Sequence, residues 1–128
     1  MPRVSEICVY MIKKTDDLHR EFGSGGHGTV VSGNAWTQGK SLYEAAARKD
    51  EGFPIVFASA DDESGLLYWA LVDDIDVDND GRTTCRYAEL RPVDGEPPIN
   101  TLQLRSGRHL SADFRHGYAL CRTPSFIG

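Results

Sequence analysis

The feature that most constrains the fold is an aspartate-rich segment, DIDVDNDGRTTCRY, at residues 74–87. Its alternating aspartates, followed by Gly81, fit the start of a calcium-binding loop of the D-x-D-x-D-G type. Such a loop needs a bidentate acidic residue at its twelfth position, where this chain has Tyr87. A calcium loop also lies between helices, whereas both flanks here resemble strands. The segment therefore predicts a β-hairpin.

A three-residue loop at 79–81 gives this hairpin its better register. With the loop glycine in the left-handed conformation, Asp74 faces Arg86 and Ile75 faces Cys85. Opposite charges then meet on one face of the hairpin, and apolar side chains meet on the other. A two-residue loop would pair Ile75 with Arg86, and a shift of one residue moves apolar side chains to the wrong face.

The rest of the chain predicts an α+β fold with about six strands and one main helix. The segments typical of strands are 4–12, 53–60, 65–78, 82–90, 101–105 and 117–122. The capping-box spacing of Ser41 and Glu44 predicts the start of a helix that ends at Gly52. A loop is expected at 22–33, and a short helical turn at 111–115. Because closure removes exposed edges, we expect a small, mostly antiparallel β-barrel with the helix packed at one end.

Length and composition predict one domain spanning residues 1–128. A content of 40% hydrophobic and 26% charged residues is typical of soluble proteins. The longest apolar run, 66–72, is shorter than the roughly 20 residues of a membrane span. No membrane association is expected, and without a signal-peptide pattern we expect a cytoplasmic protein. Cys8, Cys85 and Cys121 are far apart, which favours buried thiols over disulfides or zinc ligands.

Charge is unevenly distributed along a chain with a formal net charge of −5. Most acidic residues precede Arg82, and every basic residue from there on is an arginine. From Arg82 on, the arginines not engaged by the hairpin are Arg91, Arg105, Arg108, Arg115 and Arg122. Within the glycine-containing segment from 104 to the last strand, Arg105, Arg108 and Arg122 are candidates for holding phosphate, because the guanidinium fork suits it. The alternative is that these arginines pair with the acidic half of the chain.

Two aromatic and two imidazole side chains are further candidates. Trp36 lies in the polar loop SGNAWTQG, where it could stack on a base or cap the core. Trp69 lies mid-strand and is expected in the core. His109 and His116 lie within this arginine-rich segment and could act as an acid–base pair on a phosphodiester. The histidines lack metal-binding spacings, so no metal and no cofactor is expected.

The element order resembles the PUA-like superfamily, with its EVE and ASCH domains nearest. The resemblance covers residues 4–122: a strand, a Trp-containing loop, a helix, the text GFPIVFAS and a long hairpin. It implies a compact β-barrel with a helix over one end, binding to RNA or to modified bases in DNA, and, in some ASCH members, nuclease-like properties. It also implies that Ser59 lies at a base-binding pocket near Trp36. The usual His-Ser pair is Ala58-Ser59 in this chain.

These observations predict a small β-barrel domain that binds RNA, modified-base DNA or a nucleotide-like ligand. Trp36 would stack on a base and Ser59 would hydrogen-bond its edge, while the three arginines hold phosphate. One alternative is a metal-independent nuclease that uses His109 and His116. The other is a non-enzymatic protein-interaction module that forms a homodimer through an edge strand.

Overall fold

A computed structural model describes residues 3–61, 65–111 and 118–127, and shows two α-helices and eight β-strands in these ranges. In chain order they are β1 (Arg3–Val4), β2 (Ile7–Lys13), α1 (Thr15–Gly23), β3 (Gly28–Ser32), α2 (Thr37–Arg48), β4 (Glu51–Gly52), β5 (Pro54–Ser59), β6 (Leu66–Val77), β7 (Thr83–Pro92) and β8 (Ala119–Arg122). The fold is α+β, and six of the strands form a curled, mixed sheet that makes a half-barrel.

The six-stranded sheet has the order β3-β7-β6-β5-β2-β8. Strands β2 and β5 run parallel, with Val9 opposite Ile55 and Lys13 opposite Ser59. The other neighbouring pairs in this sheet are antiparallel. The α+β class is confirmed, but the sheet is a half-barrel and not a closed barrel, because β3 and β8 end it at opposite edges. The two helices cover its inner face, so the apolar side chains there are buried without closure.

The predicted hairpin is confirmed as the pair β6–β7. Asp74 lies opposite Arg86 and Ile75 lies opposite Cys85, which is the expected register. The facing charges form an ion pair, with Arg86 Nη1 3.6 Å from Asp74 Oδ2. The bulge glycine, Gly81, has the expected positive φ of 79°.

Asp78 shows why an aspartate begins this turn. Its Oδ1 accepts hydrogen bonds from the backbone N–H groups of Asp80 and Arg82, at 2.9 and 3.0 Å. Its own N–H donates to the Arg82 carbonyl at 2.9 Å, which closes the hairpin. The carboxylate thus stabilises the turn by the side-chain-to-backbone bonding that favours aspartate in such loops.

The first half of the chain holds more regular structure than expected. Helix α1 and strand β3 occupy most of the stretch between β2 and α2, part of which was expected to be a loop. Asp16 and Asp17 lie in the first turn of α1, Arg20 lies in its last turn, and Leu18 is buried. Acidic residues at the start of a helix and basic residues at its end are favoured by the helix dipole. This charge pattern could have predicted α1, but the glycine-rich sequence that follows it favoured a loop.

Both predicted ends of the main helix are wrong. Helix α2 begins at Thr37 rather than near Ser41, because the Lys40 N–H already donates to the Trp36 carbonyl at 2.8 Å. It ends at Arg48, and Asp50, rather than a glycine, takes the positive φ that reverses the chain. Gly52 lies in β4 instead.

The predictions after the hairpin have mixed outcomes. The last strand is confirmed as β8. The strand expected at 101–105 is wrong: a 3₁₀ turn spans Ile99–Thr101, and only single bridges, Gln103 to His109 and Leu104 to Cys121, follow it. Of the helical turn expected at 111–115, only Ser111 lies within the described residues.

Apolar side chains are buried on both faces of the sheet. One cluster lies under the helices and includes Leu18, Trp36 and Ala46. The other lies on the back face, where segments from the second half of the chain cover the strands, and includes Trp69 and Leu102. Among the helices of the described ranges, none is long and apolar enough to cross a membrane.

The three cysteines are buried and free, as predicted. Burial raises the pKa of the Cys85 and Cys121 thiols from 9.0 to about 12, and it also raises the pKa of the Cys8 thiol. Folded thiols therefore stay protonated at pH values where unfolded thiols have lost their protons.

We expect stability to fall as pH rises above about 9, with no thiol contribution below the unfolded pKa. Unfolding releases protons in this window, which lowers the free energy of unfolding by up to about 1.4 kcal/mol per pH unit for each thiol. Urea unfolding between pH 8 and pH 10 measures the slope. The Cys85→Ala variant should show a shallower slope, and equal slopes would contradict the assignment.

Candidate functional site

Of the three predicted phosphate ligands, Arg105 and Arg108 lie in one turn and Arg122 packs on it. The turn spans residues 104–108, with the Gly107 N–H donating to the Leu104 carbonyl at 2.8 Å and Gly107 at φ 94°. Arg122, at the end of β8, donates from Nη2 to the Arg105 carbonyl at 3.3 Å. Its guanidinium also lies over Gly107, since a Cβ there would be 3.4 Å from Arg122 Nη2. Residues 104–108 and Arg122 are called the arginine turn below.

The three guanidinium groups of the arginine turn are not neutralised by the rest of the described chain. Arg105, Arg108 and Arg122 are exposed. The ion pairs among the described residues are Lys13–Glu21, Arg20–Asp17, Arg86–Asp74 and Arg91–Glu89. Pairing with the acidic half thus describes Arg86, but not these three. A solvated cluster of this kind can bind phosphate without first breaking an internal pair.

Trp36 lies in the core rather than on the surface. None of its surface is exposed, and its ring stacks on Tyr118 with centroids 4.4 Å apart and planes 20° apart. Its backbone N–H donates to Thr83 Oγ1 at 2.9 Å. The indole Nε1 is buried without a hydrogen-bond partner among the described residues. A base could stack on Trp36 only if Tyr118 moved away, whereas Tyr118 itself is partly exposed.

Ser59 lies in a buried polar group at the start of α1. Its Oγ is 2.5 Å from Thr15 Oγ1 and accepts the Asp61 N–H at 3.0 Å. The Asp61 carboxylate in turn accepts the Thr15 N–H at 2.9 Å, at the first residue of α1. These bonds join the end of β5 to the helix.

A second polar cluster was not predicted and lies across the open side of the half-barrel. Lys13 Nζ donates to Glu21 Oε2 at 2.5 Å, to the Tyr87 hydroxyl at 2.6 Å and to the Thr29 carbonyl at 3.0 Å. The Tyr87 hydroxyl donates to the other Glu21 oxygen, Oε1, at 2.5 Å. Burial, and then this bond to Glu21, raise the pKa of the Tyr87 phenol. The phenol therefore stays protonated, and the cluster has the bonding of a structural network.

Gly28 is the residue that makes room for this cluster. A Cβ at Gly28 would lie 2.5 Å from Tyr87 Cζ and closer still to the Tyr87 hydroxyl and Glu21 Oε1. One sequence signal pointed to the cluster: Lys13 follows Val9 and Met11 at the two-residue spacing of a strand, on the inward face. A lysine at an inward position needs a buried partner.

The histidine pair of the nuclease hypothesis is described only in part. His109 is exposed, and its Nδ1 lies 2.8 Å from the Asn100 carbonyl, which makes Nδ1 the donor. His116 lies outside the described residues. The acid–base pair therefore stays a prediction. Within the described ranges, no three His, Cys, Asp or Glu side chains come together as metal ligands could.

No protein-family model and no curated protein matches this chain. The resemblance to the PUA-like superfamily therefore stays a prediction.

The Lys13 cluster predicts unequal effects for two tyrosine substitutions. Tyr87→Phe should lower the free energy of unfolding by about 1.5–3 kcal/mol, because the partly buried Glu21 carboxylate loses a donor. Tyr43→Phe is the matched control, since its hydroxyl donates to the Asp73 carbonyl at the surface. That change should cost about 0.5–1 kcal/mol. Urea unfolding compares them, and equal losses would contradict a special role for the cluster.

Proposed function

We propose that this protein binds nucleic acid through the phosphate groups, and that the arginine turn makes the principal contact. The observation that carries the proposal is that the Arg122 guanidinium packs on the turn that carries Arg105 and Arg108, and that none of the three arginines forms an ion pair with a described carboxylate. Guanidinium groups bind phosphate in bidentate fashion and release its counterions. The net charge of −5 makes non-specific attraction weak, so binding depends on this local cluster.

The aromatic contact assigned to Trp36 is better made by Tyr118. Tyr118 covers the indole and keeps part of its own surface exposed. It precedes Arg122 by four residues, so the two lie about 13 Å apart along an extended chain and on the same face of it. A single strand of RNA or unpaired DNA could stack one base on Tyr118 while its phosphates reach the arginine turn.

The test is the binding of a labelled 12-nucleotide single-stranded RNA, followed by fluorescence anisotropy at several salt concentrations. The triple variant Arg105→Ala, Arg108→Ala, Arg122→Ala should weaken binding at least about tenfold. It should also lower the slope of log affinity against log salt by about 2, because each phosphate contact to a single strand contributes about 0.7.

A matched control removes the same charge elsewhere. Arg20, Arg48 and Arg82 are exposed and lie outside the arginine turn, so their triple alanine variant has the same net charge. It should bind RNA nearly as tightly as the unchanged protein does. Equal weakening by both triple variants would show that binding depends on net charge and not on the arginine turn. If the unchanged protein does not bind the RNA, the proposal is overturned.

One observation favours the homodimer alternative. Strand β3 ends the sheet, and Val31 on it leaves 61% of its surface exposed. Edge strands with exposed apolar residues pair readily with another chain. If β3 forms a dimer, sedimentation should show concentration-dependent association that Val31→Lys abolishes. A monomer at all concentrations would remove this alternative.

A further inference from the structure

A cavity of 540 Å³ opens on the back face of the sheet, away from the helices. Trp69 and Leu71 of β6 form one wall, and Val93 and Phe126 lie opposite the sheet. The volume is within the roughly 300–1,000 Å³ of small-molecule sites, and apolar walls are usual there. The cavity is lined by neither Trp36 nor the arginine turn, so it is separate from the site proposed above.

A cation lies over the aromatic wall of this cavity. The guanidinium carbon of Arg91 is 4.6 Å from the centroid of the Trp69 ring. Trp69 is 8% exposed, while the Arg91 side chain is 46% exposed. Guanidinium groups stack on flat rings through both faces. A flat ligand can therefore stack on the outer face of Arg91, or replace it over the indole.

The rim of the cavity carries charges of both signs. Arg3 and Arg91 are its cations, and Glu89 and Asp94 are its carboxylates. A purely apolar ligand would desolvate these groups without replacing their hydrogen bonds. A ligand with an anionic group and N–H donors on a flat ring can satisfy both kinds of group. Purine nucleotides have this combination, with phosphate for the arginines and ring N–H groups for the carboxylates.

The backbone at Glu89 is strained where it meets the cavity. Glu89 has φ 58°, a left-handed conformation that is unfavourable for a residue with a side chain. It lies where the β6–β7 register shifts, in the bulge between Ala88 and Arg91. The bulge brings Glu89 Oε1 to 3.3 Å from Arg91 Nη2. Bulges and strained residues often direct a side chain into a binding site. A glycine would adopt this positive φ at lower cost, so the presence of glutamate here suggests a functional role for its carboxylate.

We propose that the Trp69–Arg91 cavity binds a purine nucleotide-like ligand, stacked on Arg91 or Trp69, with its phosphate at Arg3 and Arg91 and its ring edge at Glu89. The proposal stands independently of the arginine turn. The back face of the sheet would bind a small nucleotide whether or not the arginine turn binds nucleic acid.

The test is calorimetric titration of the intact protein with GMP and AMP, with inorganic phosphate and L-tryptophan as comparison ligands. At least one nucleotide should bind with a dissociation constant below about 1 mM, and more tightly than phosphate does. Arg91→Gln should weaken nucleotide binding at least about tenfold. Arg86→Gln is the matched control, since it is another exposed β7 arginine paired with a carboxylate. It should leave the affinity within about twofold.

Several outcomes would overturn the proposal. These are the absence of nucleotide binding, tighter binding of L-tryptophan than of either nucleotide, and equal losses in the Arg91→Gln and Arg86→Gln variants. The triple variant of the arginine turn should keep its nucleotide affinity. If that variant alone lost it, the nucleotide would bind at the arginine turn, and the cavity proposal would fail while the proposed function stood.

The Glu89→Gly variant distinguishes the backbone strain at this residue from the role of its carboxylate in nucleotide binding. The variant should raise the unfolding temperature, because glycine accepts the positive φ. It should also weaken nucleotide binding about tenfold, because the carboxylate that holds Arg91 and meets the ring edge is gone. A more stable variant with unchanged affinity would remove Glu89 from the site.

Discussion

The curled form of the sheet depends on one ammonium group. Strands β2 and β3 are separated by three other strands, so in a flat sheet they would lie about 19 Å apart. Lys13 on β2 nevertheless donates to the Thr29 carbonyl on β3 at 3.0 Å. The same group binds Glu21 of α1 and Tyr87 of β7. A closed barrel would join its edge strands by a backbone ladder, whereas here a side chain of β2, the neighbour of edge strand β8, reaches the other edge strand, β3.

The two candidate binding surfaces lie away from this bridge. The two helices cover the inner face, and the Lys13 cluster crosses it at one end. Ligand-sized space is found on the back face, beside Trp69 and Arg91. Positive charge without an ion pair to any described carboxylate is found at the end of β8 and in the turn beside it, in Arg105, Arg108 and Arg122. The second half of the chain forms the arginine turn and most of the cavity lining, and Arg3, Val4 and Gly52 complete the cavity.

Features that depend on residues close in sequence could be predicted, and features that depend on residues far apart in sequence could not. The hairpin register followed from residues 74–87 alone, because charge pairing, alternation and a bulge glycine agree there. The parallel pairing of β2 with β5 joins strands about 45 residues apart, and no local pattern specifies it. Trp36 was misleading for a related reason. Its neighbours are polar, but Thr83 and Tyr118, both remote in sequence, hold it in the core.

The Lys13 bridge has a further consequence for the order of folding events. Its partners are 8, 16 and 74 residues away, so it requires α1, β3 and the finished hairpin at once. Interactions that need several distant elements usually form after the transition state. Such late contacts slow unfolding while leaving the folding rate nearly unchanged. The bridge thus sets how long the half-barrel stays curled once formed, and so the lifetime of the native state.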